Sequence, residues 1–249
     1  MADISATVIT YNEADKIRGC LESIEWCDEI VIIDSYSDDG TVEIAREYTD
    51  KIYQRERTGY SEAYRELSIQ KTTNDWVLIV DADERIPNSL AEKIQEVVDR
   101  DGVDVIQIPR KNMISGRWAK GAGLWPGYLL RLFKPEHVEI KDEIHSYIEA
   151  KDGAFIGRFQ DKKETAIKHD AHKGSWDFLK TQHRYAKVKV RHKNLPVKYI
   201  LTGPLHEFIT RYWKGYHLGL FGLQISILFA LARFIDGIEN IRHILSENK

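Results

Sequence analysis

Cysteine is scarce in this chain, with only Cys20 and Cys27 among its 249 residues. Two thiols are too few for the disulfide framework of a small secreted domain, and their separation does not match the spacing of zinc ligands. The sequence therefore argues against a disulfide scaffold and against a cysteine-based zinc site. Two thiols in a chain of this length fit a reducing compartment.

A secretory signal is not evident, because the opening MADISATVIT has neither a basic start nor a long apolar core. The formal net charge is −3, so the chain as a whole lacks the positive excess typical of nucleic-acid-binding proteins. Hydrophobic residues make up 43% of the chain, which is ample for a sizeable core. We therefore expect a cytoplasmic protein with no nucleic-acid partner, built as one domain or as one domain with an appendage.

Short apolar runs alternate with helical patterns in the first third of the chain. Strands are predicted at Ile4–Thr10, Glu29–Ile33, Lys51–Tyr53 and Trp76–Val80, with helical segments between them. Such β-α-β units favour an α/β fold with a mostly parallel sheet, flanking helices and right-handed crossovers. No G-x-G-x-x-G pattern follows the first strand, which weakens the dinucleotide-binding alternative.

The stretch NDWVLIVDADE, residues 74–84, carries the strongest chemical signal in the chain. Its apolar run is typical of a strand buried on both faces, and the run ends in Asp81 and Asp83. Two carboxylates at such an edge are costly to bury, and a divalent cation is the usual partner when no Lys or Arg is adjacent. We expect Mg²⁺ or Mn²⁺ at this edge, and a solvated turn is the alternative.

Two other predicted strands end in polar residues, namely Thr10–Glu13 and Asp34. In open α/β sheets, ligands bind outside the carboxyl ends of the strands, so the three strand ends should point into one crevice. The side chains suit a nucleotide. Tyr11 and Asp34 fit the base, Asp81 fits the ribose hydroxyls, and Asp83 fits a cation that neutralises the diphosphate.

The motifs VITYNEAD, VIIDSYSDDGT and DWVLIVDADE, in this order and spacing, resemble the donor half of a GT-A glycosyltransferase of family 2. Within that family the chain is most similar to the small bacterial lipopolysaccharide-core β-glucosyltransferases. The resemblance implies inverting transfer of a hexose from a nucleotide-diphosphate sugar, UDP-glucose or similar. It assigns Asp81 and Asp83 to the metal-binding D-x-D pair, and it assigns four residues to the nucleotide base: Thr10, Tyr11, Glu13 and Asp34.

The segment Arg110–Phe133 is dense in Gly, Arg and Trp, which suits a loop that binds sugar or phosphate. Its GRW…WP..LLRLF pattern extends the resemblance. We expect three residues of this segment to bind the acceptor or a phosphate: Arg117, Trp125 and Arg131. The alternative for the tryptophans is a core-anchoring role in a surface loop. Arg131 lies in an apolar frame, so it should pair with a carboxylate or a phosphate, while Arg57 or Arg65 could reach a phosphate.

Inverting transfer needs a base that takes the proton of the acceptor hydroxyl. Relatives place an Asp after the W-P proline and a Glu after the histidine, where this chain has Gly127 and Ser146. We favour Glu143 as the base, with Asp142 second, and surface exposure as the alternative for each. By the same resemblance, His169 completes the metal shell beside Asp81 and Asp83 or contacts the diphosphate, although a lone histidine is more often structural.

The C-terminal third, residues 168–249, concentrates positive charge and contains the most apolar run of the chain, Leu218–Phe234. That run is short for a membrane span and contains Gln224, Ser226 and Arg233. After Pro204, the segment Leu205–Lys214 is amphipathic and supplies apolar and interfacial aromatic groups. We expect an in-plane or shallowly inserted helix that binds an anionic membrane surface, with sheet packing or a homo-oligomer core as alternatives.

The sequence thus predicts a catalytic domain at 1–167, with a donor half at 1–100 and an acceptor half at 101–167, followed by a helical region at 168–249. The expected acceptor is a lipid-linked or lipopolysaccharide-type glycan at the inner face of the cell membrane. Two other classes stay open at this point. One is a sugar nucleotidyltransferase, and the other is a non-catalytic nucleotide-binding module at the membrane.

Overall fold

The computed structural model of the protein describes residues 2–56, 64–100, 102–140, 148–172, 174–190 and 198–247. These residues form two compact units. The first comprises Met1–Arg110 and Gly127–His169, and the second comprises Lys111–Pro126 and Asp170–Lys249. Residues 111–126, which the sequence places in the acceptor half, therefore group with the C-terminal helices.

The first unit opens with alternating strands and helices. They are β1 (Ile4–Thr10), α1 (Ala14–Glu22), β2 (Glu29–Asp34), α2 (Thr41–Ala45), β3 (Ile52–Gln54), α3 (Arg65–Gln70) and β4 (Trp76–Asp81). The strand order is β3-β2-β1-β4, and all three pairings are parallel. The predicted parallel β-α-β arrangement is confirmed, because each crossover helix returns the chain to the same end of the sheet.

The sheet becomes mixed beyond β4. The following elements are β5 (Glu84–Arg85), α4 (Asn88–Val98), β6 (Val105–Ile114), β7 (Arg117–Trp118), β8 (Gly127–Phe133), β9 (Val138–Ile140), β10 (Ile148–Ala150), β11 (Ile156–Arg158) and β12 (Ile167–His172). β8 pairs antiparallel with both β4 and β6. β6 continues through Pro109 to Ile114, whereas the sequence pattern predicts that this strand ends at the proline. The strand can continue because Pro lacks only the N–H donor and keeps its carbonyl acceptor.

β4 is buried on both faces, as its apolar run indicates. Trp76, Leu78 and Val80 face one hydrophobic cluster together with β1 and helices α1 and α4. Val77 and Ile79 face a second cluster that contains Phe133. Since successive strand residues point to opposite faces, this run can sit only in the middle of the sheet. The strand therefore carries its terminal Asp81 to the centre of the sheet edge.

The second unit is built from three helices and the β6–β7 hairpin. The helices are α5 (Ser175–Lys189), α6 (Lys198–Gly215) and α7 (Leu220–Glu247). Its core contains Phe178 together with Phe221, Ile225, Leu228 and Ala232 on one side of α7. Helix α6 includes Pro204 in its interior, whereas the sequence starts this segment after the proline. A helix tolerates the lost N–H only with support elsewhere, and here α6 packs along α7.

Helix α7 extends well beyond the predicted apolar run. Its segment Leu220–Ser246 is long and apolar enough to cross a membrane by length and composition. The core helix of a soluble protein passes the same test, and 44% of its most apolar window is buried inside the protein. One side of α7 therefore forms the core of the second unit.

The two sides of α7 differ in their expected contribution to stability. Leu228 is 4% exposed and Leu231 is 42% exposed, so they form a matched pair on one helix. We expect Leu228→Ala to lower the free energy of unfolding by about 2–4 kcal/mol, because it leaves a cavity, and Leu231→Ala to cost less than about 1 kcal/mol. Urea unfolding measures both. Equal losses for the two variants would contradict the packing of α7 by its Phe221–Ala232 side.

Candidate active site

The carboxyl ends of three parallel strands meet at one edge of the first unit. Thr10 of β1 lies opposite Asp34 of β2 in the strand register. On the other side of β1, Ile9 lies opposite Asp81 of β4. The sheet therefore brings the three predicted strand ends together, as a parallel arrangement requires.

The loops that follow β1 and β2 are linked to each other by side-chain hydrogen bonds. The Asn12 N–H donates to the Ser37 hydroxyl (2.9 Å), and the Asn12 side chain exchanges two hydrogen bonds with Asp38. The carboxylate of Asp39 accepts from the Ala14 N–H (3.0 Å) at the start of α1 and from Thr41 at the start of α2. This network fixes the two loops against one another.

The predicted base-binding residues occupy these loops and strand ends. Asp34 is fully buried, and its carboxylate accepts hydrogen bonds from Ser37 and from Gln54. Thr10 is 3% exposed, and its hydroxyl has no hydrogen-bond partner among the described residues. The Glu13 carboxylate lies 3.0 Å from the Lys16 ammonium. Tyr11 lies half-buried in the loop after β1. A buried hydroxyl that lacks a partner is consistent with a position that a ligand completes.

Asp81 is held by a buried arginine from the neighbouring strand. Arg131 of β8 is 4% exposed, forms an ion pair with the Asp81 carboxylate, and donates to Glu84 Oε1 at 3.1 Å. Glu84 is fully buried and also accepts from the Asp81 N–H (3.1 Å) and from Arg110 (3.4 Å). Arg131 thus pairs with carboxylates, which is one of the two partners that the sequence suggests for it.

The electrostatics of this network determine the protonation of Asp81. Burial alone would raise the pKa of Asp81, but the positive charge of Arg131, aided by Arg65 and Arg110, outweighs burial. The pKa of Asp81 therefore lies well below its usual value, and the residue is ionised at neutral pH. The Nη2 atom of Arg65 lies 3.8 Å from Asp81 Oδ1.

Asp83 and His169 lie together beside this network. Strand β12 pairs with β5, and its His169 lies opposite Glu84 in the register. This places His169 Nε2 3.6 Å from Asp83 Oδ2. Burial would raise the pKa of Asp83, but contact with His169 outweighs it and lowers the pKa. The structure thus brings the predicted His169 next to Asp83 of the D-x-D pair.

A carboxylate and an imidazole are ligands that Mn²⁺ accepts in proteins, so the donor set fits a divalent cation. Among the described residues, no cluster of three or more His, Cys, Asp or Glu is arranged to hold a metal by itself. The pair suits a cation whose remaining ligands are phosphate oxygens and water, rather than a closed structural cage. Asp81 is engaged by Arg131, and Asp83 and His169 are the two side chains of this set that fit a cation.

Arg85 holds the turn that contains Asp81 and Asp83. Its guanidinium group donates to the carbonyls of Ala82 (3.1 Å), Glu84 (2.7 Å) and Lys16 of α1 (2.7 Å). A Cβ atom at Gly19 would lie 2.8 Å from Arg85 Nε, so the close approach of α1 depends on this glycine. The Arg85 side chain therefore links the turn to the first helix through hydrogen bonds to backbone carbonyls.

Several predicted residues lie elsewhere. Arg57, Asp142 and Glu143 are outside the described residues. Arg117 and Trp125 belong to the second unit, where Arg117 lies over the Phe221 ring (4.1 Å) and Trp125 packs edge-on against Trp118 (5.1 Å). Their expected contacts with the acceptor stay predictions.

Sequence reasoning missed three residues of the site. Glu84, Arg85 and Arg110 have no assigned role in the motif pattern, although Glu84 closes the D-x-D motif itself. A signal for Glu84 existed, because a third acid directly after the D-x-D pair needs a counter-charge if it is buried. Arg110 and Arg85 could not be linked to it without the strand pairing.

Residues 5–174, which are more than half of the chain, match the family described as glycosyl transferase family 2. The chain belongs to glycosyl transferase family 2. It is 35% identical over 101 residues to the lipopolysaccharide core biosynthesis glycosyltransferase LpsC of Rhizobium meliloti, covering 38% of this chain and 37% of LpsC. The aligned part is thus little more than a third of the length of that relative.

Two further similarities span most of the family 2 chain. It is 26% identical to an uncharacterized glycosyltransferase of Rickettsia conorii, over 93% of this chain and 87% of the relative. It also resembles a mannosyltransferase from Pyrobaculum calidifontis in complex with GDP-Man and Mn²⁺, with a TM-score of 0.57, 16% identity and coverage of 97% and 89%. At this identity the structural similarity shows the fold, and the GT-A fold predicted from the sequence is confirmed.

The pairing of Arg131 should make the stability of this glycosyltransferase depend on pH. Arg131→Met leaves Asp81 and Glu84 without their main counter-charge. We expect a loss of about 2–4 kcal/mol at pH 7, below the full range for buried pairs because the Asp81 side chain is 32% exposed. Urea unfolding of both proteins at several pH values measures the loss.

The pKa of Asp81 is lower in the folded protein than in the unfolded chain, where it is about 3.9. Its stabilising contribution is therefore present in full above about pH 5 and declines as the pH falls through 4 and below. The difference in the free energy of unfolding between the wild type and Arg131→Met should become smaller over the same range of pH. Arg158→Met, which removes an exposed arginine, is the control. If the difference in unfolding free energy between the wild type and Arg131→Met stays constant down to pH 3, this role of the ion pair is excluded.

Proposed function

We propose that this family 2 enzyme transfers a hexose, with inversion, from a nucleotide-diphosphate sugar to a lipid-linked or lipopolysaccharide-type glycan. The observation that carries the proposal is the pair Asp83–His169, 3.6 Å apart, at the edge where Asp81 is already neutralised by Arg131. One acid of the D-x-D motif is thereby positioned by the protein, and the other remains for a ligand. We take UDP-glucose or a similar donor as the substrate and Mg²⁺ or Mn²⁺ as the cofactor.

The residues of the edge divide the donor between them in this proposal. Tyr11, with Thr10, Glu13 and Asp34, receives the base. Asp81, fixed by Arg131, accepts from the ribose hydroxyls. Asp83 and His169 hold the cation, which when bound supplies charge stabilisation to the leaving nucleoside diphosphate.

The acceptor hydroxyl needs a base that is within hydrogen-bond reach and ionised at the working pH. Glu143, with Asp142 second, stays our proposal for this role. Arg65 and Arg110 lie at the edge of the Asp81–Glu84 network, and their charge favours the binding of a phosphate nearby. Arg117 and Trp125 are proposed to contact the acceptor.

The similarity to a lipopolysaccharide core biosynthesis enzyme supports a glycan acceptor attached to lipid. A soluble enzyme acting on such an acceptor must meet it at the membrane surface. We therefore place the protein in the cytoplasm, peripherally bound to the inner face of the cell membrane. The second unit, with the long apolar helix α7, is the part proposed to make this contact.

Asp83→Ala tests the proposed cation site directly. We expect sugar transfer to fall by about 100-fold or more, because the carboxylate is the principal charged ligand of the cation. The variant should also lose the Mn²⁺-dependent rise in melting temperature that UDP-glucose produces, since a ligand stabilises only the state that binds it. Asp75→Ala, at the opposite end of β4 and exposed, is the matched control and should retain both properties.

Near-normal transfer by Asp83→Ala in the presence of EDTA would show that the proposed role of the metal is wrong. The products distinguish the other enzyme class, because a sugar nucleotidyltransferase would release pyrophosphate and a glycosyltransferase would release nucleoside diphosphate. A panel of nucleotide sugars, each tested by thermal shift with and without Mn²⁺, identifies the donor. Binding of no member of the panel would contradict the assignment of this edge to a nucleotide sugar.

A further inference from the structure

The outward side of α6 is apolar and aromatic. We define the α6 apolar face by four residues of α6 at helical spacing and by Tyr216 in the 3-10 turn directly after it, all 42–78% exposed: Leu205, Ile209, Tyr212, Trp213 and Tyr216. Within this face Trp213 is 78% exposed and lies 6.4 Å from the ring of Tyr216. Leu220, which is 85% exposed, continues the apolar surface at the start of α7. Exposed apolar side chains that are contiguous in this way mark a contact surface.

The α6 apolar face lacks acidic side chains. The one carboxylate of α6 belongs to Glu207, which is 20% exposed and accepts from Arg211 Nε at 2.5 Å. Arg211 in turn donates to the Ala122 carbonyl and lies 3.7 Å from the Phe229 ring, so this ion pair belongs to the interior side of the helix. Lys214 is exposed next to the face. No charge on the face itself therefore opposes an anionic partner.

The charge of the whole second unit points the same way. By sequence it holds 16 Lys and Arg but only 6 Asp and Glu, a formal excess of ten positive charges in a chain whose net charge is −3. An anionic surface attracts such a unit, and each cationic side chain near anionic lipid contributes on the order of 1 kcal/mol. The unit thus combines long-range attraction with an exposed apolar face.

We propose that the α6 apolar face is the surface that inserts into the headgroup region of an anionic lipid bilayer. Trp and Tyr are the residues that favour the boundary between headgroups and acyl chains, because each has an apolar ring and a polar tip. The face carries one Trp and two Tyr, together with Leu205 and Ile209, whose side chains would lie deeper. This inference deepens the proposed function, because it rests on an acceptor that is presented by a membrane.

The proposal narrows the sequence-based expectation, which assigned membrane contact to the C-terminal region, with Leu218–Phe234 as the in-plane helix and the aromatic residues of Leu205–Lys214 at the interface. In the structure, Phe221, Ile225, Leu228 and Ala232 of that run are buried in the core of the second unit. An inserted α7 would have to leave this core. α6 needs no rearrangement, since its apolar side chains are already exposed.

Flotation with lipid vesicles tests the assignment. We expect the full-length protein, without donor or metal, to bind vesicles of phosphatidylethanolamine and phosphatidylglycerol, and to bind phosphatidylcholine vesicles much more weakly. The double variant Ile209→Ser with Trp213→Ser should reduce vesicle binding by about tenfold or more, because it removes two apolar groups that the bilayer would bury. The matched control on α7, Ile227→Ser with Leu231→Ser, replaces side chains of 44% and 42% exposure and should stay within about twofold of the wild type.

Several outcomes would overturn the proposal. One is unchanged flotation of the α6 variant, and another is loss of flotation only in the α7 variant. A third is a light-scattering shift from dimer to monomer in the α6 variant with vesicle binding retained, which would assign the face to a second copy of the chain. A fourth is that the α6 substitutions abolish binding to a single-stranded oligonucleotide while vesicle binding persists.

Two controls keep the result independent of the proposed function. Circular dichroism and the melting temperature establish that each variant is folded, which is expected because all four substituted side chains are exposed. The Mn²⁺-dependent thermal shift with UDP-glucose, measured on the same samples, reports the donor site alone. If the α6 variant loses vesicle binding but keeps the thermal shift, the result supports the α6 apolar face as the membrane-binding surface. Loss of the shift in the wild type would instead contradict the donor proposal.

Discussion

The ion pairs of Arg131 with Asp81 and Glu84 are the interaction on which the catalytic edge depends. A central strand buried on both faces has to end in polar residues if it is to contact a ligand, and burying two acids there is costly without a counter-charge. The antiparallel neighbour β8 supplies that charge from within the sheet. Asp81 thereby becomes a fixed acceptor, while Asp83 keeps an ionised carboxylate beside His169. The two acids of one motif acquire different roles because their neighbours differ.

The loops around this edge carry backbone strain that hydrogen bonds maintain. Asn12 and Tyr36 both have positive φ angles, of 53° and 56°, which non-glycine residues rarely adopt. Asn12 is held by Ser37 and Asp38 from the opposite loop. Strain of this kind persists where the surroundings determine the conformation, and it is common at ligand sites. We infer that the hydrogen bonds between the two loops organise this edge of the sheet.

The sequence predicted those parts of the fold in which local pattern and tertiary environment agree. β1 has the predicted bounds, and the ends of β2 and β4 differ by one residue, because continuous apolar runs leave no other register. The sheet edge followed from motif order, and the approach of His169 to Asp83 followed from the family resemblance. The Glu84–Arg110–Arg131 network did not, since it depends on pairing between strands that are distant in sequence. α6 was cut short at Pro204, because local propensity cannot anticipate the support that packing on α7 provides.

Net charge gave an incomplete description of this chain, because the two units carry opposite charges. The first unit has 20 Lys and Arg against 33 Asp and Glu, and the second has the positive excess. A value of −3 for the whole chain is the difference between these large terms. Screening limits electrostatic attraction to about 8 Å at physiological ionic strength, so a surface responds to the nearest unit rather than to the total. An anionic surface therefore attracts the second unit and repels the first.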